Sequence, residues 1–125
     1  MASNLSGLTI KDEHLKRALE GREYLLVDGA TGTQMQERGL DALEAVPELL
    51  CKTHADDITA IHASYIAAGA EVITTNTFSA NRLKLGDKMS VEEAYRLAAD
   101  CARAAGAPYI AGDIGPTGSL LEPMG

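Results

Sequence analysis

The sequence predicts an α/β fold of parallel strands that is incomplete within its 125 residues. Three observations lead there. Short apolar runs rich in β-branched residues alternate with helical patterns, the order expected of parallel strands joined by helical crossovers. Each run closes on polar residues and glycine, as buried strands do where they turn into loops. Only three such runs are present, and a three-stranded parallel sheet leaves edges and faces uncovered. The chain therefore reads as stopping within a strand-to-helix loop.

In chain order, Thr9 is placed to cap a helix over residues 11–20, with Leu15, Ala18 and Leu19 on one side and Gly21 closing it. Residues 1–23 are then a helical lead-in, and residues 24–125 the body of the domain. Tyr24-Leu25-Leu26-Val27 is the first strand, ended by Asp28-Gly29. Gly29, Gly32 and Gly39 leave room for one short helix over residues 34–38. Residues 40–53 contain Pro47 and no sustained period, which predicts an irregular excursion with room for one helical turn. Ile58, Ile61, His62, Tyr65 and Ile66 recur at spacings of three and four up to Gly69, a helix with one apolar face. Glu71-Val72-Ile73-Thr74-Thr75 is the second strand. Residues 76–88 read as a loop. Ser90, with Glu93 at the capping-box position, then starts an alanine-rich helix through Leu97, Ala98, Cys101 and Ala105 to Gly106. Pro108-Tyr109-Ile110-Ala111-Gly112-Asp113 is the third strand. A loop with Gly115, Pro116, Gly118, Pro123 and Gly125 follows it.

Composition narrows the function classes. Apolar residues make up 46% and charged residues 23%, ordinary for a globular domain. A net charge of −7 disfavours nonspecific attraction to nucleic acid or an anionic membrane surface. No apolar run reaches the roughly 20 residues of a spanning helix. The first residues lack the basic-then-apolar order of a secretory signal, so a cytoplasmic location is expected. Cys51 and Cys101 stand far apart without a C-x-x-C pair, and free thiols are expected in a reducing compartment.

The chemistry-bearing residues gather at the strand ends: Asp28, then Thr75-Asn76-Thr77, then Asp113. Parallel α/β folds bind ligands beyond the carboxyl ends of their strands, with contributions from several of them. Polar residues there also serve simply as loop starts. Three together on one rim, with Gly29 and Gly112 beside two of the acids, favour a site. The run Asp28-Gly29-Ala30-Thr31-Gly32-Thr33 exposes backbone N–H groups able to hold an anion, but it lacks the G-K-[ST] of a P-loop. His14, His54 and His62 have no ligand partner at helical spacing and read as structural or surface residues. Asp56-Asp57 puts negative charge at a helix N-terminus, and Arg82, Lys84 and Lys88 read as solvated charges.

Four motifs in one order carry a resemblance. They are Val27-Asp28-Gly29-Ala30-Thr31-Gly32-Thr33; Ile61-His62 with Tyr65 and Ala68-Gly69-Ala70; Thr75-Asn76-Thr77-Phe78-Ser79-Ala80-Asn81-Arg82; and Gly112-Asp113-Ile114-Gly115-Pro116-Thr117-Gly118. This series resembles the homocysteine S-methyltransferase family, and within it the homocysteine-binding domain of the cobalamin-dependent members, over residues 24–125. The resemblance implies a (β/α)8 TIM barrel, with the first three βα units in this chain. It implies that zinc-bound homocysteine thiolate attacks a methyl group to give methionine. The methyl would come from methylcobalamin, recharged from methyltetrahydrofolate on other domains. Zinc suits this chemistry because coordination keeps the thiolate deprotonated near neutral pH. The family's cysteine ligands lie late in the barrel, outside these residues, and neither Cys51 nor Cys101 matches them. No catalytic or metal-binding residue is therefore assigned in this chain, which alone is expected to be inactive.

What carries over is the amino-acid end of the substrate pocket. Asp28 matches the carboxylate that pairs with the homocysteine ammonium, and Gly29 and Thr75 are placed to meet the substrate carboxylate or backbone. Phe78 would wall the pocket, with Asn76 and Asp113 on its rim. Cys51, Ala55 and Ser79 depart from the asparagine, proline and glycine usual at those positions. The alternative from another class is a small non-enzymatic, receiver-like binding module, which needs five strands, early paired acids and a late lysine. Exposed sheet edges also suggest a homo-oligomer.

Overall fold

Parallel pairing joins the three apolar runs in chain order. The structure, a computed structural model, describes residues 7–124, so the start of the lead-in and Gly125 lie outside the described residues. The helices are α1 (Glu13–Leu19), α2 (Gly32–Glu37), α3 (Leu50–Thr53), α4 (Ala55–Ala67), α5 (Arg82–Leu85) and α6 (Val91–Ala104). The strands are β1 (Val72–Thr74) and β2 (Tyr109–Ala111), paired in parallel with Ile73 opposite Ile110. The first run pairs with β1 through a single parallel bridge, Val27 to Val72, rather than a strand over residues 24–28. The Asp28 N–H donates to the Val72 carbonyl at 2.9 Å, and Val72 donates back to Leu26 at 3.1 Å. This run has a neighbour on one side only; Leu26 and Val27 are exposed and Tyr24 is 94% exposed. An unsupported edge explains why its ladder ends after one residue pair. The other two strands are also shorter than expected, their polar ends turning early into loops.

Helix α1 starts later than its sequence suggests. Asp12, not Thr9, is the N-cap, and its Oδ1 accepts the Leu15 N–H at 2.9 Å. The same oxygen accepts the Tyr109 hydroxyl at 2.6 Å, a long-range contact that selects Asp12 over the other candidate. Helix α1 buries no residue fully. Polar ties hold it instead: His14 pairs through Nδ1 with Glu23 and through Nε2 with Glu71 at 3.0 Å, and Arg17 meets Glu23 at 2.6 Å. Hydrogen bonds that His14 donates to Glu23, then Glu71, raise the His14 pKa, while Arg17 and then His14 lower that of Glu23. Stability from the raised histidine is fully present below its unfolded value of about 6.5 and is lost as pH rises through the higher folded value. Thermal melts should therefore fall on going from pH 6 to alkaline pH, and His14→Gln should flatten that slope. Parallel slopes in the two proteins would remove His14 as the cause.

Helices α4 and α6 form the covered side of the sheet. Ile58 and Ile61 pack with Met35, Leu40, Leu50, Cys51, Ala98 and Cys101 in one apolar cluster. Small side chains at Ala94, Ala98 and Ala102, all completely buried, leave room for close packing along α6. Ile73 points to this side and is completely buried with Ala70 and Ala102, while its neighbours Val72 and Thr74 are half-buried. The Ser90 hydroxyl caps α6 as expected, accepting the Glu93 N–H at 3.1 Å. The Glu93 carboxylate pairs with Lys52 at 3.5 Å.

Two irregular stretches contain more structure than expected. Residues 40–53 hold a 3-10 turn, Pro47–Leu49, running directly into α3. Residues 76–88, expected to be a loop, include α5, whose N-cap Asn81 accepts the Lys84 N–H at 3.0 Å. Helix α2 begins at Gly32, ahead of the expected residue 34. Cys51 and Cys101 are free and buried, and they share one cluster despite their separation in sequence. Among the described residues, no helix is long and apolar enough to cross a membrane.

Candidate functional site

The carboxyl ends of the three parallel runs are tied together by side chains from their own loops. Asp28 spends one hydrogen bond from each carboxylate oxygen on β1: Oδ2 accepts the Thr74 N–H at 3.0 Å and Oδ1 the Thr74 hydroxyl at 2.8 Å. A carboxylate can accept about four hydrogen bonds, so capacity for a ligand remains. The buried Thr75 and Thr77 hydroxyls bond each other at 2.7 Å, and both accept the Asp113 N–H at 3.2 Å. The Asp113 carbonyl accepts the Thr77 hydroxyl at 2.8 Å and the Tyr95 hydroxyl at 2.6 Å. These contacts fix the Asp113 backbone and leave its side chain without a protein partner among the described residues.

Residues 76–79 lean the other way, onto the 3-10 turn. Asn76 donates Nδ2 to the Pro47 carbonyl at 2.9 Å and lies 3.6 Å from the Cys51 sulfur. The Ser79 N–H donates to Glu48 Oε2 at 3.1 Å. Phe78 projects between these anchors, 56% exposed, with the Lys84 ammonium 5.5 Å from its ring centre. Gly29 serves a close approach: a Cβ there would lie 3.0 Å from the Tyr65 ring, whose hydroxyl donates to the Ala30 carbonyl at 2.5 Å.

Between these loops lies a cavity of about 280 Å³ whose walls include Thr31, Gly32, Glu48, Asn76, Phe78 and Asp113. Of the residues expected to bind a ligand, the fold brings Asn76, Phe78 and Asp113 to this cavity. Asp28, Gly29 and Thr75 are outside its lining, with Asp28 bound to Thr74 and Thr75 turned toward Thr77. Glu48 is the residue that sequence reasoning missed. An acid inside the apolar stretch Val46-Pro47-Glu48-Leu49-Leu50 was the available signal, and Glu48 is 1% exposed. Burial raises its pKa, opposed by the Ser79 N–H. His62, also completely buried, has its pKa lowered by burial, with the nearby Asp28 charge opposing.

The homocysteine S-methyltransferase family matches residues 25–125, a span that takes in all three polar strand ends and the cavity between them. The chain belongs to that family. It is 31% identical to the methionine synthase of Mycobacterium tuberculosis (strain ATCC 25618 / H37Rv), in an alignment of 138 positions covering 94% of this chain and 12% of that protein. It is 39% identical to the methionine synthase of Mycobacterium leprae (strain TN) over 71 positions, covering 53% of this chain and 6% of that protein. The chain thus spans only a small part of the length of these relatives.

Within this segment of the homocysteine S-methyltransferase family, Gly115 has a clear steric reason to be glycine. A Cβ there would lie 2.1 Å from the Phe78 carbonyl oxygen and 3.0 Å from the Phe78 ring. Backbone cannot yield as a flexible side chain can. Gly115→Ala should destabilise the protein by about 1–3 kcal/mol and displace the Phe78 loop. Gly112→Ala is the control, since its nearest contact, Tyr95, would be an ordinary 3.9 Å. Equal urea midpoints for these two variants would contradict the steric argument.

Proposed function

We propose that these residues form the amino-acid end of a homocysteine pocket in a methyltransferase that makes methionine. In this reading residues 24–125 are the first three βα units of a (β/α)8 barrel, preceded by the helical lead-in of residues 1–23. The observation that carries it is the family match over residues 25–125, which coincides with polar ends of three parallel runs gathered on one side. Asp28 pairs with the substrate ammonium, Gly29 and Thr75 shape the approach, and Asn76, Phe78 and Asp113 line the entry. Two relatives that are methionine synthases support the choice of product.

The described residues do not fit a zinc site. Among the described residues no group of three His, Cys, Asp or Glu side chains is placed to hold a metal ion. Both thiols are packed in the apolar cluster around Ile58 and Ile61. In this reading the zinc ligands belong to other parts of the proposed enzyme, as do the cobalamin and methyltetrahydrofolate domains. The remaining barrel would cover the open edge at Leu26 and Val27, a role a second copy could also fill. Three parallel runs and the family membership leave the receiver-like alternative without a supporting observation. The complete enzyme, supplied with homocysteine and methylcobalamin, should form methionine. Failure to consume homocysteine under those conditions would overturn the assignment.

A further inference from the structure

Glu48 places a carboxylate inside the protein without satisfying it. Oε2 accepts the Ser79 N–H at 3.1 Å, whereas Oε1 is buried with no hydrogen-bond partner among the described residues. Buried polar atoms are rarely left so, and an unpaired oxygen beside a cavity calls for an incoming donor. The 280 Å³ cavity has Glu48 and Asp113 in its walls and no lysine, arginine or histidine. The Lys84 charge acts on Glu48 from outside that lining, and Asp113 opposes it. A ligand carboxylate would meet two acids there, and a thiol is a weak donor. An ammonium group brings three N–H donors and the missing positive charge.

We propose that Glu48 is a further substrate-binding residue, whose Oε1 accepts a hydrogen bond from the ammonium of the amino-acid substrate while Oε2 holds the Phe78 loop. This rests on the proposed homocysteine pocket and adds to it a residue on the 3-10 turn. Glu48 is one of the cavity's walls, and its Oε1 is closed off from solvent, so a contact made there is shielded from water. Anchoring Ser79 requires only one oxygen. The second is what a ligand contact explains.

The test compares Glu48→Gln with wild type in the complete enzyme. Glutamine keeps an oxygen for the Ser79 N–H but loses the charge and offers an N–H₂ where an acceptor is needed. The KM for homocysteine should rise about ten- to hundredfold, with kcat and melting temperature little changed. The inhibition constant of 4-mercaptobutanoate, which is homocysteine without its ammonium, should be unaffected. Glu48→Asp, which keeps the charge at shorter reach, should fall between the two and serves if the glutamine variant folds poorly. An unchanged homocysteine KM, or equal losses for both thiols, would reduce Glu48 to a loop anchor. A wild-type enzyme that does not methylate homocysteine would instead overturn the proposed function itself.

Discussion

Asp28→Asn should raise the KM for homocysteine about ten- to hundredfold in the complete enzyme, the loss expected when a charge-assisted contact worth about 1.5–3 kcal/mol is removed. The proposed role of Asp28 is to meet the substrate ammonium at the end of the first parallel run. Its two oxygens already accept the N–H and hydroxyl of Thr74, which fixes the carboxylate's orientation before substrate arrives. Asparagine retains one acceptor for Thr74 and turns an N–H₂ group toward the other donor, so some loosening of this strand end is also expected. Thr74→Val separates the two effects by removing the hydroxyl while leaving the Asp28 charge in place. It should lower stability with a much smaller change in KM. Zinc content should be the same in all three proteins, because Asp28 is not proposed as a ligand. Homocysteine kinetics unaltered in Asp28→Asn would show that the ammonium is held elsewhere.

The 125-residue chain alone should carry no stoichiometric zinc after dialysis and form no methionine. Catalytic zinc generally needs three protein ligands in fixed geometry and one open position. The two cysteines here are spent on packing: Cys51 is 2% and Cys101 3% exposed, and the Cys101 sulfur lies 3.8 Å from the Ala55 carbonyl. A hydrogen bond that the Cys51 thiol donates to the Cys101 sulfur, together with burial, pushes the Cys51 thiol up, the opposite of what a metal-binding thiolate requires. His62 lies completely buried within α4. Bringing these groups to one metal would open the packing of Ile58, Ile61 and Ala98. Without a metal the homocysteine thiol keeps a pKa near that of free cysteine, about 8.5, so most of it is protonated at neutral pH. Elemental analysis with a methionine-formation assay decides the matter. One zinc per chain, or turnover by this chain alone, would contradict the proposed division of the site.

Much of the site's frame was legible because it depends on near neighbours. The polar ends of the apolar runs identified Asp28, Asn76 and Asp113 as loop residues beyond parallel strands, and Asn76 and Asp113 do line the cavity. Glu48 escaped because an acid within a short apolar stretch is only a weak local sign of burial. Its burial depends on Ser79, 31 residues away, arriving with a free N–H. Thr75 points into a hydroxyl pair with Thr77 because the Asp113 N–H needs acceptors there, a demand made by the next strand's loop.

By itself the sequence determined the alternation of apolar runs and helices, the parallel sense of pairing, the apolar face of α4 and the Ser90 cap of α6. Each follows from periodicity or from residues a few positions apart, where the backbone geometry is already known. Tertiary structure decided among choices that were locally equivalent. Tyr109 selected Asp12 as the cap of α1, Lys52 engaged the Glu93 carboxylate, and the missing neighbour beyond Val27 reduced an expected strand to one bridge. Cys51 and Cys101 share a cluster because α3 and α6 pack together, a proximity that no spacing in the chain encodes. The physical reason is common to all of these. A hydrogen-bonding or apolar group will accept any suitable partner, and only the folded path of the chain determines which one is within reach.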